Sequence, residues 1–234
     1  MNLPFFYTEE YVPGVKEITL AEETSRHIIQ VLRMKKTDQV LLTDGKGNKI
    51  VCEIIDDHKK HCRVALISAD FTARSSRKIS IAISLLKNAS RFEWFLEKAT
   101  EIGVGEIIPM ICERTEKEKI KQERIKNILV SSMLQSQQCW LPEMGALTTF
   151  TEVVNEAQQD QKFIAHCLDG KKGSLSDLAN NSLRSQLILI GPEGDFTGEE
   201  IAFAITHHFL PVSLGDNRLR SETAGIAAVL LLHI

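Results

Sequence analysis

The residue types most able to do chemistry sit in two glycine loops near the C-terminal end. Gly191-Pro192-Glu193-Gly194-Asp195 follows the apolar run Leu187 to Ile190, and Gly215-Asp216-Asn217-Arg218-Leu219-Arg220 follows Leu210 to Leu214. Glycine lets the backbone turn sharply and approach a ligand closely, and proline stiffens the turn. The second loop adds two guanidinium groups, Arg218 and Arg220, and runs into Ser221-Glu222-Thr223-Ala224-Gly225. Two loops leaving neighbouring parallel strands at their C-terminal ends form the crevice in which an α/β sheet binds a small ligand. Plainer readings stand beside this one. A bare Gly-x-x-Gly is also a structural turn, Glu222 is also a favourable first-turn carboxylate at a helix N-terminus, and loop arginines are often only solvated.

The elements that position these loops follow from pattern. Ile79 to Leu85 is β-branched or small throughout, as a strand buried on both faces requires. Ser90-x-x-Glu93 reads as a capping box opening a helix that carries Phe92, Phe95, Leu96, Ala99 and Ile102 on one stripe, and Gly103 is its natural stop. Glu106 to Ile111 is the next strand, Glu118 to Ser136 a long charged helix, Thr151 to Ala157 a shorter one and Phe163 to Ala165 a strand. Ser174-x-x-Asp177 and Thr197-x-x-Glu200 are further helix starts. Alternation of strand and helix predicts a mostly parallel sheet covered on both faces. The first seventy residues read differently. A short helix over Thr24 to Met34, with Thr24 or Ser25 as cap and Ile28, Val31 and Leu32 on one face, precedes the extended segments Val40–Thr43, Ile50–Ile55 and Cys62–Ile67. That is a small barrel or sandwich, and the polar stretch Ala69 to Lys78 is the natural linker. The division is therefore 1–70, 71–78 and 79–234.

Bulk properties narrow the class. With 43% hydrophobic and 25% charged residues and a net charge of −3, the 234-residue chain is an ordinary globular protein. A local basic face can still grip nucleic acid. Five scattered cysteines with no C-x-x-C pair suggest reduced thiols and a cytoplasmic location. Met1 to Tyr7 lacks the marks of a signal peptide, and no apolar run is long enough to span a bilayer. His58-x-x-His61-Cys62 has metal-ligand spacing but no second ligand pair, so it reads as a solvated hairpin turn and no metal is expected. No G-x-G-x-x-G follows a strand, no G-x-x-x-x-G-K-[ST] is present, and no G-x-S-x-G elbow occurs.

The pairing of Leu189-Ile190-Gly191-Pro192-Glu193-Gly194 with Leu214 to Ala224 resembles the ribosomal RNA small subunit methyltransferase E family, of the SPOUT superfamily. Arg26 to Met34 resembles that family's His-x-x-x-Val-Leu-Arg-Met segment, Lys98 to Val104 its Lys-Ala-Thr-Glu-Leu-Gly-Val helix end, and Gln135-Ser136 followed by Pro142 another block. The resemblance covers essentially the whole chain. It departs at Asp195, where many members have a second glycine, at Gln138, where arginine is frequent, and at Leu3-Pro4-Phe5, which lacks an arginine.

What the resemblance implies goes beyond pattern reading, which alone stops at an open α/β sheet. It implies a PUA-like N-terminal β-barrel, a trefoil-knotted SPOUT domain, a homodimer, S-adenosylmethionine as cofactor and methylation of uridine N3 in 16S ribosomal RNA of the small subunit. His166, Ile190, Gly191, Pro192, Glu193, Gly194, Leu214, Gly215, Asn217, Arg218 and Leu219 would then hold the cofactor. Arg220 would stabilise negative charge on the uracil oxygens, and Glu222 would act as base or orient Arg220. Between Arg74 and Lys98 six basic residues face two acidic ones. Together with the group around Arg33, this makes Arg26, Arg33, Lys87 and Arg91 the expected RNA contacts. A ribose 2′-O-methyltransferase on the same fold and a non-catalytic RNA-binding protein are the competing expectations.

Overall fold

The computed structural model describes residues 3–117 and 119–234. Met1 and Asn2, at the expected leaderless start, and Glu118, at the expected helix start, lie outside the described residues. The chain divides into two compact units, Met1–Arg74 with Met133–Leu141, and Ser75–Ser132 with Pro142–Ile234.

The first unit is a five-stranded mixed sheet of β1 (Phe5–Tyr7), β2 (Glu17–Thr19), β3 (Gln39–Thr43), β4 (Asn48–Asp56) and β5 (Arg63–Phe71), in the order β1-β3-β4-β5-β2. Only β1 and β3 pair in parallel; the other pairs are antiparallel. Alternation in β4 sends Ile50, Cys52 and Ile54 inward, against Phe6, Ile18, Ile28, Val40, Leu42 and Val64. The expected helix over Thr24 to Met34 is shorter and split. Helix α1 spans Glu22–Arg26, and a π-helical turn, His27–Val31, follows. That wider turn inserts a residue into the helical phase. Ile28 is therefore buried while Val31 and Leu32 are exposed, and the three do not share a face. The cap position is Ala21, and neither Thr24 nor Ser25 fills it. Ser25 is buried instead, donating to the Leu20 carbonyl (3.1 Å) and accepting from the Cys62 amide (3.0 Å). His58 and His61 stack face to face, with His58 Nδ1 accepting from the Lys60 amide.

The distant segment Met133–Leu141 joins this unit through Trp140. The indole Nε1 donates to the Thr72 carbonyl (2.8 Å), and the ring lies over Gly47, where a Cβ would stand 2.6 Å from it. Only glycine fits there, and its φ of +93° favours glycine independently.

The second unit holds the eight strands β6 (Lys78–Ser84), β7 (Glu106–Ile111), β8 (Glu143–Met144), β9 (Thr148–Thr149), β10 (Gln161–Ala165), β11 (Gly173–Ser174), β12 (Ser185–Ile190) and β13 (Leu210–Ser213). Their order is β11-β13-β10-β12-β6-β7-β8, with β9 also on β7, and every pair is parallel. β12 is thus inserted between β10 and β6, and all of Gln186 to Ile190 is buried, as a central strand covered on both faces requires. Burying each of the four aliphatic side chains contributes about 1.5–3 kcal/mol.

The helices of this unit are α2 (Ala89–Ile102), α3 (Gln122–Gln135), α4 (Phe150–Glu156), α5 (Leu175–Leu178), α6 (Gly198–Thr206) and α7 (Ser221–His233); the last residues of α3 belong with the first unit. Asn88, not Ser90, caps α2: its side chain accepts from the Ser90 amide, and Glu93 instead pairs with Arg124. The expected Ser90–Glu93 box fails because the helix begins one residue before Ser90. Gly103 ends α2 with φ of +98°. Complete capping boxes occur at Thr149–Glu152 and at Thr197–Glu200. Ser174 is the cap residue of α5 without a side-chain cap bond. Helix α7 packs on α2 and β6 through Gly225, where a Cβ would stand 2.7 Å from Phe95 and 3.2 Å from Ile83. Among the described residues, no helix is long and apolar enough to cross a membrane.

Candidate functional site

The C-terminal ends of β10, β12 and β13 lie side by side because Ala165 pairs with both Ile190 and Val212. The backbone amides and side chains that follow each strand therefore converge on one cavity of about 640 Å³. That is ample for a cofactor-sized ligand, within the usual range of roughly 300–1,000 Å³. His166 and Cys167 line it after β10, Ile190 to Glu193 and Asp195 after β12, and Val212 to Arg220 after β13, with Ser221 and Ala224 from the start of α7.

Of the residues expected to hold a cofactor, His166, Ile190, Gly191, Pro192, Glu193, Leu214, Gly215, Asn217, Arg218 and Leu219 line the cavity. Gly194 does not; its carbonyl faces away and accepts from Arg114 Nη1 (2.7 Å). Gly191 has a steric reason to be glycine, since a Cβ there would sit 3.1–3.2 Å from the Phe196 ring and amide. The Nδ1 atom of His166 is buried without a protein partner, as expected of a group that a bound ligand would satisfy. Burial, followed by the ammonium of Lys172, pushes His166 below its ordinary pKa and keeps the ring neutral, against a smaller opposing pull from Asp195.

Arg220 and Glu222 are not equivalent. Arg220 is exposed, lines the cavity and occupies the N-cap position of α7 without a side-chain cap bond. Its charge adds to the positive end of the helix dipole, so the potential at this mouth favours an oxygen acquiring negative charge. Glu222 points the other way. It is 6% exposed and outside the cavity lining; Oε1 lies 3.6 Å from Arg91 Nε and Oε2 has no hydrogen-bond partner. Arg91 thus faces Glu222, and Lys87 pairs with Glu116 at 2.8 Å while its backbone amide donates to Glu193 Oε1. In the first unit, Arg26 is paired with Glu22 within α1, and Arg33 is exposed with φ of +57°.

Several lining residues were not named as site residues from the sequence, among them Cys167, Lys172 and Asp195. Lys172 Nζ donates to the carbonyls of His166 (3.0 Å) and Leu168 (2.8 Å). The Asp195 carboxylate accepts from the amide of Cys167 (2.7 Å) and from that of Phe196 (2.8 Å). Only for Asp195 was there a signal, its departure from glycine at a turn.

A family profile described as an RNA methyltransferase domain matches residues 73–233, and one described as an RNA methyltransferase PUA domain matches residues 20–67. Among curated proteins, the chain is 29% identical to the ribosomal RNA small subunit methyltransferase E of Synechocystis, over 91% of this chain and 71% of that protein. It is 26% identical to the protein of the same name from Bacillus subtilis, over 95% and 91%. Among solved structures, a probable rRNA methyltransferase from Porphyromonas gingivalis superposes with a TM-score of 0.91 at 35% identity, over 99% of this chain and 97% of that one. A protein from Legionella pneumophila described only as a methyltransferase candidate, solved with bound S-adenosylmethionine, gives 0.88 at 30% over 99% and 97%. The small subunit methyltransferase E of Neisseria gonorrhoeae, also bound to S-adenosylmethionine, gives 0.87 at 27% over 97% and 95%. The α/β unit and the PUA-like unit anticipated from sequence both correspond to these folds.

Proposed function

The chain belongs to the family of RNA methyltransferases that join this catalytic domain to a PUA domain, and from that premise we propose that it methylates 16S ribosomal RNA of the small subunit, at N3 of a uridine, using S-adenosylmethionine. The observation that carries this reading is the cavity formed where β10, β12 and β13 end, with its neutral, unpartnered His166 and its close-approach glycine, Gly191. These features suit S-adenosylmethionine, which supplies an electrophilic methyl group when bound. His166, the Ile190–Glu193 segment and the Leu214–Leu219 segment are the residues that would hold it.

Uridine N3 carries a proton at neutral pH, so the site must accept a base that becomes anionic as that proton leaves. Arg220 stabilises the charge that develops on the uracil oxygens, because it stands at the cavity mouth over the N-terminus of α7. Glu222 acts indirectly: its buried carboxylate faces the Arg91 guanidinium on α2. Arg26, Arg33, Lys87 and Arg91 grip phosphates, which position RNA without reading it.

The same reading includes the division at 71–78 between an RNA-binding unit and the catalytic domain 79–234. It also includes a trefoil knot, supported by the insertion of β12 between β10 and β6, two strands that are not consecutive in the chain, and a homodimer, supported by the exposed Leu230 of α7 and Ile234 just beyond it. Four buried free thiols and a ribosomal substrate support action in the cytoplasm.

Nucleoside analysis of 16S RNA from a strain lacking the protein tests the function. Loss of 3-methyluridine, restored by the wild-type chain, is the expected outcome. Loss of a ribose methyl would move the chemistry to a 2′ hydroxyl, and an unchanged profile with no S-adenosylmethionine binding would leave a non-catalytic RNA-binding protein.

A further inference from the structure

Asp195 sits in the left-handed region, with φ of +63°. Glycine meets no strain there, and among side-chain-bearing residues asparagine and aspartate tolerate it best. Backbone geometry alone would therefore be served by glycine. What aspartate adds is its two carboxylate oxygens, and they have different destinations. Oδ1 accepts from the amide of the next residue, Phe196, and so stabilises its own turn. Oδ2 accepts, at 2.7 Å, from the amide of Cys167, 28 residues away in the segment that leaves β10. Since β10 and β12 are adjacent parallel strands, this bond joins the exits of two strands at the cavity wall. The far side of the same turn is fastened too, by Lys172 on the carbonyls of His166 and Leu168. The His166–Leu168 turn is thus held between a carboxylate and an ammonium, and the imidazole it carries is the group with a buried, unpartnered nitrogen.

We propose that Asp195 is a positioning residue for cofactor binding: its carboxylate clamps the His166–Cys167 turn to the Gly191–Asp195 loop and so fixes His166 at the cavity wall before any ligand arrives. The proposal rests on the cofactor reading above. Preorganisation lowers the ordering cost of binding, so loss of the clamp weakens affinity without removing any direct ligand contact.

The test compares wild type with Asp195→Gly, Asp195→Asn and Thr197→Ala. Asp195→Gly keeps the backbone conformation and removes both acceptors, so it folds. Asp195→Asn retains one oxygen and loses the charge. Thr197→Ala removes the neighbouring cap of α6, outside the cavity lining, and serves as the purely structural control. In ligand-free protein, amide hydrogen exchange at Cys167 should accelerate about tenfold or more in Asp195→Gly, in line with loss of a hydrogen bond to a charged group. Calorimetric affinity for S-adenosylmethionine should fall by roughly the same factor. Asp195→Asn should recover part of both effects, and Thr197→Ala should lower the melting temperature while leaving both readouts within about twofold of wild type. Cys167 exchange in Asp195→Gly equal to wild type, or an affinity within about twofold of it, would overturn the clamp. A flat titration with wild-type protein would overturn the cofactor reading, and exchange at Cys167 would then decide the clamp on its own.

Discussion

Of the two glycine loops at the cavity, the one after β12 is fastened on several sides, whereas the one after β13 is tied only at its start. In the first, the Asp195 amide donates to the Pro192 carbonyl, the Gly194 carbonyl takes Arg114, Glu193 takes the Lys87 amide and Asp195 takes the Cys167 amide. In the second, Ser213 Oγ exchanges hydrogen bonds with the carbonyl and amide of Gly215. Among the described residues, Asp216, Asn217 and Arg218 follow exposed and without hydrogen bonds to the rest of the chain. One wall of the site is fastened by its own hydrogen bonds, and the other leaves its polar groups open to a ligand. The fastened wall contributes shape at low entropic cost, and the open wall carries the guanidinium groups of Arg218 and Arg220.

The largest effect should come from the open loop. Arg220→Ala is expected to lower single-turnover methyl transfer about 10²–10³-fold, the usual loss for one preorganised charge stabiliser, with S-adenosylmethionine affinity changed far less. Under the positioning role, Glu222→Gln should cost about tenfold or less; a loss of 10²–10⁴ would instead identify it as the general base. A matched glycine pair tests the walls themselves. Gly191→Ala drives a Cβ against the Phe196 ring and amide and should destabilise by about 1–3 kcal/mol in denaturant titration, with clear loss of cofactor affinity. Gly215→Ala meets open space, and only its φ of +133° resists, so a cost nearer 1 kcal/mol is expected. Equal costs at the two positions would break the comparison.

Thiol reactivity gives a smaller, simpler reading. Cys52 and Cys62 are pushed up to about 11 by burial, Cys112 and Cys139 are raised by the same cause, and Cys167 is exposed at the cavity. An aromatic disulfide reagent should modify one thiol quickly in native protein and five after unfolding, and S-adenosylmethionine should slow the native reaction. The smallest effect is with pH. His166 is held below its ordinary value of 6.5, so the unfolded chain takes up a proton there more readily than the folded one. Its contribution is complete above about pH 6.5 and is lost as pH falls through the lower folded value. His233, lowered by burial and by Arg77, behaves alike. Replacing His166 with Asn should flatten the decline in melting temperature below pH 6.5 by the share His166 contributes.

How much was legible follows the range of each interaction. The Thr197–Glu200 box and the Leu187–Ile190 strand are local events, written in consecutive residues. Ser90 misled because Asn88, two residues earlier, is the better cap in the available geometry. Ser25 misled because a hydroxyl can serve a buried strand end as well as a helix start. Glu222 reads as an exposed first-turn carboxylate until α7 is seen packed on α2, which buries it against Arg91. Asp195 was visible only as an oddity, since its partner lies 28 residues upstream.

By itself, the order of residues determined the alternation of strands and helices, the two glycine loops at strand ends and the family resemblance they carry. These depend on periodicity and on backbone freedom, which are properties of neighbours along the chain. Only the tertiary structure decided that three strand ends share one cavity, that Arg220 faces it while Glu222 turns away, and that Asp195 fastens one of its walls. Those outcomes depend on which strand lies beside which, and the insertion of β12 between β10 and β6 brings together groups that no local pattern relates.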